Sequence, residues 1–173
     1  MNYFIKYFIY ILAFLFLTKC SQPIILKNNI ETNKGLFQFG NTSDRNFYYE
    51  KNISPDLELI WSNETYGSFS NSSMLLYDKF LFVPDLSGRL FVFNKSNGKL
   101  VGYEKFSGEI AVTPIINSFR IYIPINKKDE INFSVITFDF LNGKILNEVK
   151  LNGKISFEMI KVQDGFVVFS SFG

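Results

Sequence analysis

"FVFNKSNGKLVGYEKFSGEI" occupies Phe91 to Ile110, and "ITFDFLNGKILNEVKLNGKI" occupies Ile136 to Ile155. The two stretches align without a gap at an offset of 45 residues. Phe93 then matches Phe138, Asn97-Gly98-Lys99 matches Asn142-Gly143-Lys144, Lys105 matches Lys150, Gly108 matches Gly153 and Ile110 matches Ile155. Leu100 and Phe106 find apolar counterparts in Ile145 and Leu151. Leu90 to Phe93 and Val135 to Phe138 are β-branched and aromatic, the composition that strands prefer. Asn-Gly tolerates positive φ at both turn centres, so it is expected to close a tight hairpin with the right twist. Each unit reads strand, Asn-Gly turn, strand, and Gly108 and Gly153 mark the next break.

The repeat extends backwards. "YDKFLFVP" (Tyr77 to Pro84) is echoed by "NSFRIYIP" (Asn117 to Pro124) at an offset of 40, and "DGFVVFSS" (Asp164 to Ser171) fills the slot again. Each is a short apolar run after a polar turn, as in a strand buried on both faces. The offset changes because the link holding Lys127-Lys128-Asp129-Glu130 is longer than Asp85 to Arg89, and insertions belong in surface loops. Four strand slots result. The first holds Ser72 to Leu76, Val112 to Ile116 and Phe157 to Lys161. The central slot holds Phe80 to Val83, Ile121 to Ile123 and Phe166 to Phe169, with Phe82, Ile121 and Val168 expected inside. The third holds Leu90 to Phe93 and Val135 to Phe138. The outer slot holds Leu100 to Phe106 and Ile145 to Leu151, and Leu57 to Trp61 is read as the outer strand of a preceding unit. A period of 40 to 45 residues with four strands fits the blade of a β-propeller. A β-sandwich of short strands is the alternative. The fold class expected is all-β: the N-terminal part of a propeller over residues 57–173, about two and a half blades. Propellers close with 4 to 8 blades, so the chain is expected to be part of a longer protein, with a short chain that pairs with another copy as the competing account.

The N-terminus reads as an address. Residues 1–19 are "MNYFIKYFIYILAFLFLTK", with Lys6 before the uninterrupted apolar run Tyr7 to Leu17. That run is short for a membrane span of about 20 residues and suits a signal peptide. The only cysteine, Cys20, follows it. Leu17 and Cys20 resemble the lipobox of bacterial lipoproteins, in which the Cys is lipidated and becomes the new N-terminus. Lys19 stands where that pattern has a small residue. An uncleaved anchor with Lys6 reaching back to the interface and a buried helix are the other readings. Residues 20–56 hold Asn28-Asn29, Gly35, Gly40-Asn41 and Pro55 without a long period; they are read as the lipidated Cys20, a tether and a lead-in loop.

The totals exclude several chemistries. The 173 residues are 47% hydrophobic and 18% aromatic, with 21 Phe, the opposite of a disordered chain. The net charge is +2, and Lys6 and Lys19 are the only charges in the first 19 residues. Without them the chain is neutral, and a nucleic-acid partner, which needs a basic stripe, is not expected. The absence of His removes His-based triads and His metal sites. A single Cys allows no intrachain disulfide and no CxxC motif.

"SGRLFVFNKSNGKLV", Trp61, Ser72-Ser73-Met74, Val112-Thr113-Pro114 and "GNTSDRN" (Gly40 to Asn46) resemble the repeats and lead-in of the PQQ-like β-propellers. With the lipoprotein-like leader, the chain resembles the BamB-like outer-membrane assembly lipoproteins of that group. Tyr103 and Glu148 stand at the later equivalents of Trp61. The resemblance implies a membrane-tethered scaffold for protein–protein interaction in the bacterial cell envelope, facing the periplasm or the surface, with envelope or outer-membrane proteins as partners. An extracytoplasmic ligand sensor, an adhesin, and a non-catalytic fragment of a PQQ-dependent dehydrogenase-like protein are the alternatives. Nothing in the sequence reproduces a Ca²⁺ cluster or a paired-cysteine motif, so no PQQ, no metal and no small-molecule substrate are expected. Asp78, Asp85, Glu104 and Asp139 fall at turns or strand edges. Asp139 is expected to cap its own hairpin and the others to meet solvent. No catalytic residue is assigned, and Cys20 is the one modification site.

Overall fold

A computed structural model describes residues 22–27, 30, 34–47, 55–65, 67–69, 74–163 and 165–172. The expected leader and Cys20 lie outside the described residues. The strands are β1 (Gly35–Leu36), β2 (Leu75–Tyr77), β3 (Phe80–Pro84), β4 (Arg89–Asn94), β5 (Leu100–Lys105), β6 (Ile115–Asn117), β7 (Arg120–Asn126), β8 (Asn132–Asp139), β9 (Lys144–Asn152), β10 (Ile160–Val162) and β11 (Gly165–Val167). They form three sheets in strict chain order: β1 to β5, β6 to β9, and the hairpin β10–β11. Every pairing is antiparallel. Two successive antiparallel meanders and the start of a third make a partial β-propeller, as the repeat requires.

The repeat is exact at the level of hydrogen bonding. β4 and β5 slip register between Val92 and Phe93, and β8 and β9 slip between Thr137 and Phe138. These sites match across the 45-residue offset. Only the glycine of each Asn-Gly pair has positive φ, 68° at Gly98 and 66° at Gly143, and neither Asn97 nor Asn142 does. The expected two-residue turn is thus replaced by a longer loop. Each loop has one left-handed position, which glycine supplies.

Alternation along the strands sorts side chains into seams. Phe82, Leu90 and Val92 of the first blade pack with Ile121, Ile123, Ile136 and Phe138 of the second in one buried cluster. Phe133, Val135 and Ile115 pack with Ile155 and Met159, and Phe166 and Val168 lean on them. A backbone bridge joins Glu109 to Asn126, and its counterpart joins Ile155 to Ser170. Asn126 is also bound through its side chain: its amide donates to the Ile155 carbonyl and its oxygen accepts from Ile155 N, both at 2.9 Å. The link entering the third hairpin is therefore tied to the central strand before it.

Three expectations need correction. The segment read as a tether is partly core: Ile24 and Leu26 are fully buried between the first two blades, and Gly35–Leu36 pairs with β2 as a fifth strand of the first sheet. Sparse apolar residues in a Gly- and Asn-rich stretch carry no period, so only the seam they fill reveals them. Residues 57–61 form no strand, and Leu57, Leu59 and Ile60 are exposed; alternation without a neighbouring edge to bond to does not make a sheet. The third central strand ends at Val167, leaving Val168 half-buried and Phe169 outside the strand. Phe82 and Ile121 are fully buried, as their pattern requires.

Candidate interaction face

The blades repeat in orientation as well as in register. Ile121, Ile123, Ile136 and Phe138 face the first blade, and their equivalents at the offsets of 40 and 45 are Leu81, Val83, Phe91 and Phe93. These make the opposite face of the first blade, together with Leu100 and Tyr103 from β5. The Phe91 and Phe93 rings stack with centroids 6.0 Å apart, and Tyr103 lies 5.8 Å from Phe91. The Arg89 guanidinium sits 5.4 Å above the Phe91 ring.

Asp85 holds that guanidinium in place. Its carboxylate is fully buried and accepts from Arg89 Nε at 3.0 Å, Arg89 N at 2.8 Å and Ser87 Oγ at 2.7 Å. Asp85 was expected to meet solvent; instead three donors within four residues let it stay buried, since a buried charge must be paired and hydrogen-bonded. The loop before β2 crosses the other end of the face. Trp61 lies 6.4 Å from Phe93 and its Nε1 donates to the Lys95 carbonyl at 2.8 Å. Asn63 Nδ2 donates to the Gly98 carbonyl at 2.8 Å. A β-carbon at Gly98 would come within 2.5 Å of the Trp61 ring, so the glycine serves both the left-handed turn and the seat of the indole.

Between these edges lies a groove of about 490 Å³, lined by Asn63, Glu64, Arg89, Phe91, Phe93, Leu100, Tyr103 and Lys105. It offers an aromatic floor, two cations and one carboxylate. Phe91 and Phe93 are already buried, so the accessible apolar part is Leu100 and Tyr103, which can take an apolar side chain with a carboxylate at the rim.

Asp78 is half-buried in the β2–β3 turn, where its N–H donates to the Lys34 carbonyl at 2.7 Å. Asp139 caps its hairpin as expected: it accepts from Leu141 N at 2.9 Å, from Asn142 N at 3.1 Å and from Asn142 Nδ2 at 2.7 Å. Desolvation works to raise its pKa, but those hydrogen bonds and the nearby Arg120 charge outweigh it, and the carboxyl titrates below its usual range. Burial pushes Glu104 upward despite a backbone hydrogen bond at Lys105. Glu158 was not singled out from sequence. It spans the seam between the second blade and the third hairpin, accepting from Thr113 N at 2.7 Å and Thr113 Oγ1 at 2.9 Å. Burial raises its pKa against those hydrogen bonds and Arg45. The signal was present: Thr113 and Glu158 occupy the same repeat slot, 45 residues apart, and the acid replaces a small polar residue there.

Cys20 lies outside the described residues, so the structure places no neighbour beside it. Among the described residues, no three His, Cys, Asp or Glu side chains converge where a metal ion could sit, and no helix is long and apolar enough to cross a membrane.

Compared with known protein families and with curated proteins, the sequence matches none. Among solved structures, a europium-containing methanol dehydrogenase is similar over 49% of this chain at 13% identity, with a TM-score of 0.43. The chain spans only 16% of that protein's length. The blade assignment rests on the strand order and the repeated register.

Proposed function

We propose that the chain is a membrane-anchored β-propeller scaffold of the bacterial cell envelope, which binds other envelope proteins through the aromatic face of its first blade. The observation that carries this reading is the face itself. It is the repeat equivalent of the second-blade face that the first blade buries, so its chemistry suits an apolar sheet surface with carboxylates at the margin, opposite Arg89 and Lys105. The resemblance to BamB-like lipoproteins supports the same role, and the leader ending at Cys20 supplies the anchor.

Two measurements test it. Labelled fatty acid should enter the wild-type chain, and Cys20→Ser should abolish incorporation and release the chain from membranes. A photo-crosslinker at position 103 should give a discrete envelope-protein adduct that Leu100→Glu, at a partly exposed position of the same face, removes, while the far-ultraviolet spectrum stays unchanged. Soluble chain in the wild type, or crosslinking that Leu100→Glu leaves intact, overturns the reading. Adducts with a small ligand alone favour the sensor alternative.

A further inference from the structure

Residues 22–26 do not hang free of the propeller. The Gln22 carbonyl accepts from Tyr103 N on the outer strand β5 at 2.8 Å. The chain then turns over Gly102, where a β-carbon would lie 2.7 Å from the Pro23 carbonyl oxygen. Ile24 and Leu26 enter the seam between the first two blades and are fully buried. Leu26 N donates to the Phe140 carbonyl at 2.9 Å, on the β8–β9 loop of the second blade. Residues 22–26 are thus a strap, held at one end on the first blade and at the other on the second.

We propose that this strap fixes the orientation of the propeller on the membrane: the outer edge of the first blade, along β5, faces the lipid surface. The inference rests on the anchor reading above, with Cys20 as the lipidated residue. Only Ser21 separates Cys20 from the pinned Gln22. A chain spans at most about 3.3–3.6 Å per residue, so the anchor point lies within about 7 Å of the place where Gln22 meets β5. A long flexible tether would let the domain tumble at the surface; this length does not. Lys99, just before β5, Lys105 at its end and Lys27 beyond the strap are exposed, as suits a surface of anionic headgroups. The partner is therefore a phospholipid bilayer presented edge-on to β5.

The single tryptophan of the chain provides the test. In a Trp61→Phe background, Lys99→Trp reports on the β5 edge, and Gln163→Trp reports on the hairpin two sheets away. The full chain is reconstituted through its anchor into vesicles of phosphatidylethanolamine and phosphatidylglycerol carrying brominated acyl chains. Bromine should quench the tryptophan at 99 several-fold more than the one at 163. Adding Leu26→Glu should undo the strap and bring the two toward equality, with the chain still floating with the vesicles. Equal quenching at 99 and 163 without that substitution, in chain that floats, overturns the orientation and leaves the anchor standing. Chain that fails to float removes the anchor reading, and the orientation with it.

Discussion

Gly102→Val should act through the strap, and the structure says by how much. Gly102 sits in an outer strand where a side chain would ordinarily be welcome, yet its β-carbon direction is occupied by the Pro23 carbonyl oxygen at 2.7 Å and the Gln22 carbonyl oxygen at 3.0 Å. These are backbone atoms, so no side-chain rotation relieves the contact, and the strap must lift. Lifting it exposes Ile24 and Leu26, each normally contributing about 1.5–3 kcal/mol when fully buried. It also gives up two hydrogen bonds worth about 1 kcal/mol each. The expected loss is about 5–8 kcal/mol, a large share of a domain stability of about 5–15 kcal/mol. Leu26→Ala alone should cost about 2–5 kcal/mol. The decisive quantity is their coupling. Once Gly102→Val has lifted the strap, residue 26 is already in water, and truncating it costs almost nothing more. Equilibrium urea unfolding of the four variants, followed by Trp61 fluorescence, closes the double-mutant cycle. Strictly additive losses would refute the reasoning, because they would mean that Leu26 remains buried when position 102 is filled.

Other outcomes follow from the seams and turns. Burial raises the Glu158 pKa, so the folded state holds that proton more tightly than the unfolded state; its contribution is complete below the unfolded pKa and is lost as pH rises through the folded one. Glu158→Gln keeps an acceptor for Thr113 N and should remove that part of the pH dependence, which melts from pH 4 to neutrality would reveal as a shallower decline. Asp139 has the opposite sign: its lowered pKa makes its contribution present above the unfolded pKa and lost as pH falls through the folded one. Asp139→Ala should therefore destabilise by about 1 kcal/mol at neutral pH and much less in acid, and an equal loss at both would contradict the cap. Gly98→Ala places a side chain at φ 68° against the Trp61 ring, so a red shift of Trp61 emission should accompany a loss of about 1–2 kcal/mol. Unchanged emission would mean that the indole does not rest there.

The sequence alone determined the blades, because their signals are local and written twice. Short β-branched and aromatic runs mark β3, β4, β7 and β8 as strands buried on both faces, and Asn97-Gly98 and Asn142-Gly143 fix where the chain reverses. The matched 45-residue offset then forces equivalent registers, down to the slips at Val92/Phe93 and Thr137/Phe138. Asp139 was legible for the same reason, since an Asx cap is satisfied within three residues. What the tertiary structure decided lies at long range. Ile24 and Leu26 share no period with anything; they are core because a seam between two blades has room for an apolar strap and a glycine at 102 lets it pass. Asp85 is buried because Arg89 folds back on it above an aromatic floor. Leu57 to Ile60 alternate as a strand would, but lacking an edge to pair with they remain loop. Propensity and pattern act through neighbours along the chain, whereas burial is set by whichever surface arrives from elsewhere, and for residues 22–26 that surface comes from Gly102 and Phe140.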